Sequence, residues 1–216
     1  MIFSILTLFP EMFTGPFDFS IIKRAKTNDL VDIRLINIRD FASDKYKTVD
    51  DRPYGGGVGM ILKVDVIDRA LTFAKNAFPA AKTRSILLDA KGKSFTQAKA
   101  RSLTNFDHLI FICGHYEGVD ARVNKLVDES ISIGNYVLTG GELPAMVLVD
   151  SIARLLPNVL LKKTATIQES FTDNTLEPPQ YTRPEKYKGK GVPSILLSGH
   201  HQKIADWQKK HSRSLK

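Results

Sequence analysis

A single cysteine, Cys113, stands in 216 residues. That excludes a disulfide framework and any cysteine-rich zinc site, and it points to a reducing compartment. Long hydrophobic runs are missing too. The N-terminus, MIFSILTLFPEMF, has no basic n-region and only about eight apolar residues before Pro10, too few for a signal peptide or a membrane span. His200 and His201 are adjacent and no H-E-x-x-H occurs, so no protein-bound metal is expected. The G-x-S-x-G elbow of a serine hydrolase is absent. A G-x-G-x-x-G reading from Gly55 meets Met60 at the third glycine, and a phosphate loop ending at Gly92-Lys93-Ser94 meets Leu87 at its first. Both standard nucleotide folds drop out. A cytoplasmic protein without a membrane partner is the expectation.

What is present suits a globular chain: 43% hydrophobic and 25% charged residues, enough for one domain or one plus a small appendage. Charge is unevenly distributed. Residues 183–216 carry nine Lys and Arg against Glu185 and Asp206, so this stretch holds +7 of the net +8. A basic appendage on a neutral body fits a polyanionic partner. A solvated tail is the alternative.

Residues 2–8 and 31–38 read as strands, the second with Val31, Ile33 and Leu35 on one face. A helix is expected between them, near 16–29, with Ile21, Ile22 and Ala25 inward. The polar stretch 39–59 ends in glycines that forbid regular structure. Helical spacing of Val66, Ile67, Ala70, Leu71 and Ala74 predicts a helix over 63–77. Ile86–Leu88 and Leu109–Ile112 read as strands buried on both faces of a parallel sheet. Helical stretches are expected near 94–104 and 119–128, and another apolar run spans 130–138. The most apolar helix opens at Pro144 and closes at Pro157. This alternation predicts an α/β fold, a parallel sheet with helices on both faces. Residues 158–180 read as a linker, and a last helix near 200–212 turns Ile204 and Trp207 inward.

Three glycine turns close putative strands: Cys113 to Gly118, Ile133 to Leu138, and Thr139 to Glu142. Ligands of open α/β sheets bind outside the carboxyl ends of strands. Glycines there admit a flat heterocycle against the backbone, and Val137, Leu138 and Pro144 offer apolar walls. Each turn alone also reads as an ordinary strand exit.

DDRPYGGGVGM (50–60), CGHYEGVDAR (113–122), SIGNYVLTGGELPAM (132–146) and YTRPE (181–185) resemble the bacterial tRNA (guanine-N1-)-methyltransferases, trefoil-knotted (SPOUT-class) S-adenosylmethionine-dependent enzymes. The resemblance runs in order from LFPEMF (8–13) to LLSGHH (196–201). It implies a deep C-terminal trefoil knot in a cofactor-binding domain over 1–160, a linker over 161–180, and a small, mainly helical, basic tRNA-binding segment over 181–216. Family members continue for several dozen residues more, so that segment is expected to be truncated.

The implied activity is methylation of N1 of the tRNA guanosine at position 37, just 3′ of the anticodon. The implied cofactor-holding residues are Leu87, Leu88, Gly114, Tyr116, Glu117, Gly118, Ile133, Gly134, Asn135, Tyr136, Val137, Leu138, Gly140, Gly141 and Pro144. Asp89-Ala90 replaces the usual Ser-Pro and Asn135 the usual Asp. Arg52, Tyr54, His115, Tyr181 and Arg183 match substrate-binding positions, His115 where Arg is usual. Arg154 and Glu169 match the catalytic pair, Glu169 where Asp is usual. Guanine N1 holds a proton at neutral pH, so attack needs a general base, and the charge developing on O6 needs a fixed cation. By residue type alone, Arg154 also reads as a helix-end arginine and Glu169 as a loop acid. The resemblance further implies a homodimer and assistance by magnesium without a dedicated protein site; no other protein partner is expected. A noncatalytic knotted RNA-binding relative is the alternative.

Overall fold

The computed structural model describes residues 1–161, 166, 169–172 and 175–214. The chain divides into two compact units, Met1–Leu161 and Lys162–Lys216. Residues 162–165, 167, 168, 173 and 174 of the expected linker, and Lys216 of the basic set, lie outside the described residues.

The first unit runs β1 (Ile2–Thr7), α1 (Ser20–Thr27), β2 (Asp32–Asn37), β3 (Asp50–Asp51), β4 (Ile61–Leu62), α2 (Val64–Asn76), β5 (Thr83–Ser94), α3 (Gln97–Leu103), β6 (His108–Cys113), β7 (Glu129–Ser132) and α4 (Glu142–Ala153). Five strands form one parallel sheet in the order β2-β1-β6-β5-β7. Side chains alternate between its faces, as a strand's period of two requires. Phe3, Ile5, Ile86, Leu88, Leu109 and Phe111 pack with buried residues of α1, α3 and α4. Leu6, Leu87, Ile110 and Ile112 pack with Val66, Ile67, Ala70, Leu71 and Ala74 of α2. With helices on both faces, a central strand is apolar throughout; every residue of β6 is buried.

Four expectations change. The run 130–138 is a strand only to Ser132; beyond it a turn from Tyr136 N to the Gly134 carbonyl (3.0 Å) takes over, and Tyr136 and Val137 are exposed. The expected helix near 119–128 is a short 3-10 turn, Ala121–Lys125, capped by Asp120 and burying only Val123. Leu35 faces solvent because β2 is an edge strand with one paired side. Within the stretch expected to be irregular, β3 pairs antiparallel with β4.

The second unit holds β8 (Thr175–Leu176), β9 (Lys186–Tyr187), β10 (Lys190–Gly191), α5 (Ser194–Leu197), α6 (His201–His211) and β11 (Arg213–Ser214). β8 pairs with β11 and β9 with β10, both antiparallel. Ile204 and Trp207 are the half-buried residues of α6, whereas Lys203, Lys209 and Lys210 are exposed. Among the described residues no helix is long and apolar enough to cross a membrane.

Candidate functional site

The parallel sheet brings the carboxyl ends of β6 and β7 beside residues 87–91 of β5, and the chain leaves β6 and β7 through turns. These turns and that part of β5 line an open cavity of about 250 Å³. Every residue expected to hold the cofactor lines it except Asn135, which is exposed. His115, expected on the substrate side, lines it as well. Sequence reasoning missed Lys91, Val119, Ile131 and Ser132. Lys91 arrives through a β-bulge: Ile131 of β7 pairs with both Leu88 and Lys93, so residues 89–92 arch out of β5 beside the cavity. Gly92 is the signal that could have found the bulge, since a Cβ there would meet the Ile131 backbone.

Two glycines have identifiable reasons. Gly118 has φ +111°, a left-handed conformation that a side chain would strain. Gly141 lies against the end of β6, where a Cβ would come 2.6 Å from the Cα of Cys113, and its N–H donates to the Gly114 carbonyl at 2.8 Å. Its small size therefore serves the packing of the start of α4 against β6, and the residue also lines the cavity. An antiparallel bridge joins His115 to Gly140 and ties the two turns further. Tyr116, at φ +58°, holds the tip of its turn in a conformation uncommon for a bulky residue.

Beneath the turns lies Glu142, only 1% exposed at the start of α4. Thr7 Oγ1 donates to its Oε1 at 2.7 Å, joining α4 to the end of β1. Its Oε2 lies 4.0 Å from His115 Nδ1, which is buried and has no hydrogen-bond partner among the described residues. The His115 ring sits between Phe9 (4.8 Å) and Tyr116 (4.9 Å). Burial, and after it the Glu142 charge, pushes the Cys113 thiol well up, so it stays protonated and inert.

The loop of residues 52–59 is tethered to this cavity. Glu117 N donates to the Met60 carbonyl and Leu62 N to the Gly118 carbonyl, both at 3.0 Å. Arg52 and Tyr54 project from the loop into solvent. Arg154 is half-buried at the C-terminal cap of α4. In the second unit, Glu169 is half-buried and lines a groove with Tyr181 and Trp207, whose rings meet edge-on at 6.4 Å; Arg183 is exposed. Arg154 thus belongs to one unit, and Glu169, Tyr181 and Arg183 to the other.

The first-unit cavity fits S-adenosylmethionine in its chemistry. Leu87, Leu88, Ile133, Val137, Leu138 and Pro144 wall it, and three backbone turns bring amide and carbonyl groups to its rim. No group of three or more His, Cys, Asp or Glu residues is arranged to hold a metal ion among the described residues.

Comparison with known proteins places these features in context. The family model described as tRNA (Guanine-1)-methyltransferase TrmD matches residues 1–215. The chain is 52% identical over 209 residues to the tRNA (guanine-N(1)-)-methyltransferase of Carboxydothermus hydrogenoformans, covering 96% of this chain and 81% of that protein. It is 52% identical over 213 residues to the like-named protein of Geotalea uraniireducens (98% and 85% covered) and 53% over 209 residues to that of Geobacillus kaustophilus (96% and 85%).

Proposed function

The chain belongs to the tRNA (Guanine-1)-methyltransferase family, and on that premise we propose that it transfers a methyl group from S-adenosylmethionine to N1 of the tRNA guanosine at position 37, just 3′ of the anticodon. The observation that carries this reading is the cavity at the carboxyl ends of β6 and β7, lined by Leu87 and Leu88 of β5, the Gly114–Gly118 turn and, Asn135 apart, the Ile133–Gly141 loop. Those residues and Pro144 hold the cofactor. When bound, S-adenosylmethionine supplies an electrophilic methyl group.

The protein's own part is proton handling and charge placement. Glu169 takes the N1 proton, freeing the lone pair, and a positioned general base is worth about 10²–10⁴-fold. Arg154 offsets the negative charge that develops on O6. Tyr54 stacks on the target guanine while Arg52, His115, Tyr181 and Arg183 hold the surrounding RNA. The enzyme acts as a homodimer, a reading supported by the large apolar residues Leu143 and Val147, which stay about half exposed on the mostly apolar α4. It works in the cytoplasm, with magnesium assisting and no dedicated protein site.

The test is transfer of labelled methyl from S-adenosylmethionine to an unmodified tRNA transcript, with the product nucleoside identified by mass spectrometry. N1-methylguanosine from the parent tRNA, and none from a transcript with adenosine at that position, is the expected result. Cofactor binding without methyl transfer would overturn it in favour of a noncatalytic RNA-binding relative.

A further inference from the structure

Residues 43–48 form a loop that none of the roles above uses. Tyr46 stands at its apex, 86% exposed, between the exposed side chains of Lys45 and Lys47. An aromatic ring so fully in water contributes nothing to the core, yet the backbone beneath it is held with care. The Asp44 carboxylate accepts hydrogen bonds from Tyr46 N, Thr48 N and Thr48 Oγ1, each at 2.9 Å. Lys47 N donates to the Asp44 carbonyl at 3.1 Å, and Lys47 itself takes the left-handed φ of +53°. Both ends of the loop are anchored: Ile38 and Val49 are fully buried, and Lys63 N donates to the Val49 carbonyl at 2.8 Å. The ring is therefore presented on a pre-ordered support, which lowers the entropy lost when something binds it.

Its place in the fold says what that partner is. The loop follows the carboxyl end of β2 and so lies at the same end of the sheet as the cavity. From Val49 the chain enters β3, which pairs with β4, and Leu62 of β4 bridges to Val119 on the cavity wall. Lys47 is paired with Asp40 at 2.8 Å, but both side chains are more than half exposed, and a surface pair of that kind is worth little and is readily shared with a phosphate. An exposed ring flanked by two cations suits unpaired RNA, whose bases stack on aromatic side chains while the adjoining phosphates meet lysines.

We propose that residues 44–48 form an RNA subsite in which Tyr46 stacks on an unpaired base of the tRNA loop and Lys45 and Lys47 meet the neighbouring phosphates. This rests on the tRNA reading above. The experiment measures binding of the full chain to an unmodified tRNA transcript and to a fully paired RNA duplex of equal charge, by fluorescence anisotropy. Tyr46→Ala is expected to weaken binding of the transcript about 5- to 150-fold, from a stacking worth of about 1–3 kcal/mol per base. Duplex binding, S-adenosylmethionine binding and the melting temperature should stay at parental values. Tyr46→Phe, which keeps the ring, should bind the transcript as the parent does. Parental affinity in Tyr46→Ala overturns the subsite, as does equal loss for transcript and duplex. A changed dimer dissociation constant with unchanged RNA binding also overturns it and assigns the ring to a contact between copies. Methyl transfer by the parent on the same preparation tests the activity separately: a ring-dependent loss without methylation keeps the subsite and rejects the enzyme.

Discussion

Gly141 and Cys113 meet backbone to backbone: a Cβ on the first would stand 2.6 Å from the Cα of the second and 3.0 Å from the Gly114 nitrogen. Neither neighbour is a side-chain end that could swing away. The start of α4 is thereby fixed against the end of β6, and the cavity's shape depends on that contact.

Gly141→Ala is accordingly expected to destabilise the fold by about 1–3 kcal/mol, the usual cost of overpacking, seen as a drop of several degrees in melting temperature. Gly114→Ala should melt near the parent, because its methyl would meet only the Leu88 carbonyl at 3.6 Å and Val119 Cγ1 at 3.7 Å, ordinary contacts. Leu88 and Val119 both line the cavity, so Gly114→Ala should instead reduce the thermal shift given by S-adenosylmethionine. A parental melting curve for Gly141→Ala would sink the packing argument.

Glu169→Ala should lower the single-turnover methylation rate by at least about 10²-fold, the lower bound for a general base. S-adenosylmethionine affinity, measured by calorimetry, should not change. Glu169→Asp should keep activity or raise it, since a base displaced by about 1 Å costs on the order of 10²-fold. If the alanine variant turns over at the parental rate from pH 6 to 9, another group is the base.

His108 is fully buried at the start of β6, between Ser4 Oγ (2.8 Å from Nε2) and Thr83 Oγ1 (3.3 Å from Nδ1). Burial, and then the nearby Arg34 charge, holds its pKa below the ordinary value. The folded chain thus favours neutral imidazole, while the unfolded chain takes up a proton near pH 6.5. Stability is complete above about pH 6.5 and falls as pH drops from there toward the lowered folded value. Melting temperatures between pH 7.5 and 5 should show this decline, and His108→Gln should flatten it while lowering the whole curve. An equal slope in the variant would assign the decline elsewhere.

Glu129 ties β7 to its neighbours. Arg84 Nε approaches its Oε1 at 3.0 Å and Lys99 Nζ of α3 its Oε2, with the carboxylate side chain 12% exposed. Burial pushes its pKa up, but hydrogen bonds from Lys99 and Arg84 outweigh that and hold it below the ordinary range. This contribution is present above the unfolded carboxyl value, about 4.3, and lost as pH falls through the folded one. Glu129→Gln should cost about 1.5–3 kcal/mol at pH 7, the range for hydrogen bonds to charged groups, and less at pH 3, below the unfolded carboxyl value. Urea titrations at the two pH values decide it.

Changing Lys209, Lys210 and Arg213 together to Ala should flatten the slope of log K against log salt for tRNA binding, because each phosphate contact releases counterions. An unmoved slope would make these charges a solvated surface.

Local pattern carried much of this protein. The five inward positions of α2 and the two-sided burial of β6 follow from spacing and from unbroken apolar runs. The residues around the cavity were legible because the glycine turns follow β6 and β7, and a parallel sheet puts those strand ends on one side. Periodicity could not tell where an apolar run stops being a strand. After Ser132 no neighbour offers a ladder, so Tyr136 and Val137 turn outward. Nor could it find Glu142, whose carboxylate becomes a buried partner of Thr7 only because β1 and α4, 135 residues apart in sequence, pack together. The role of Gly141 was likewise decided in three dimensions: a glycine leaves room, and only the packed chain shows that Cys113 fills it.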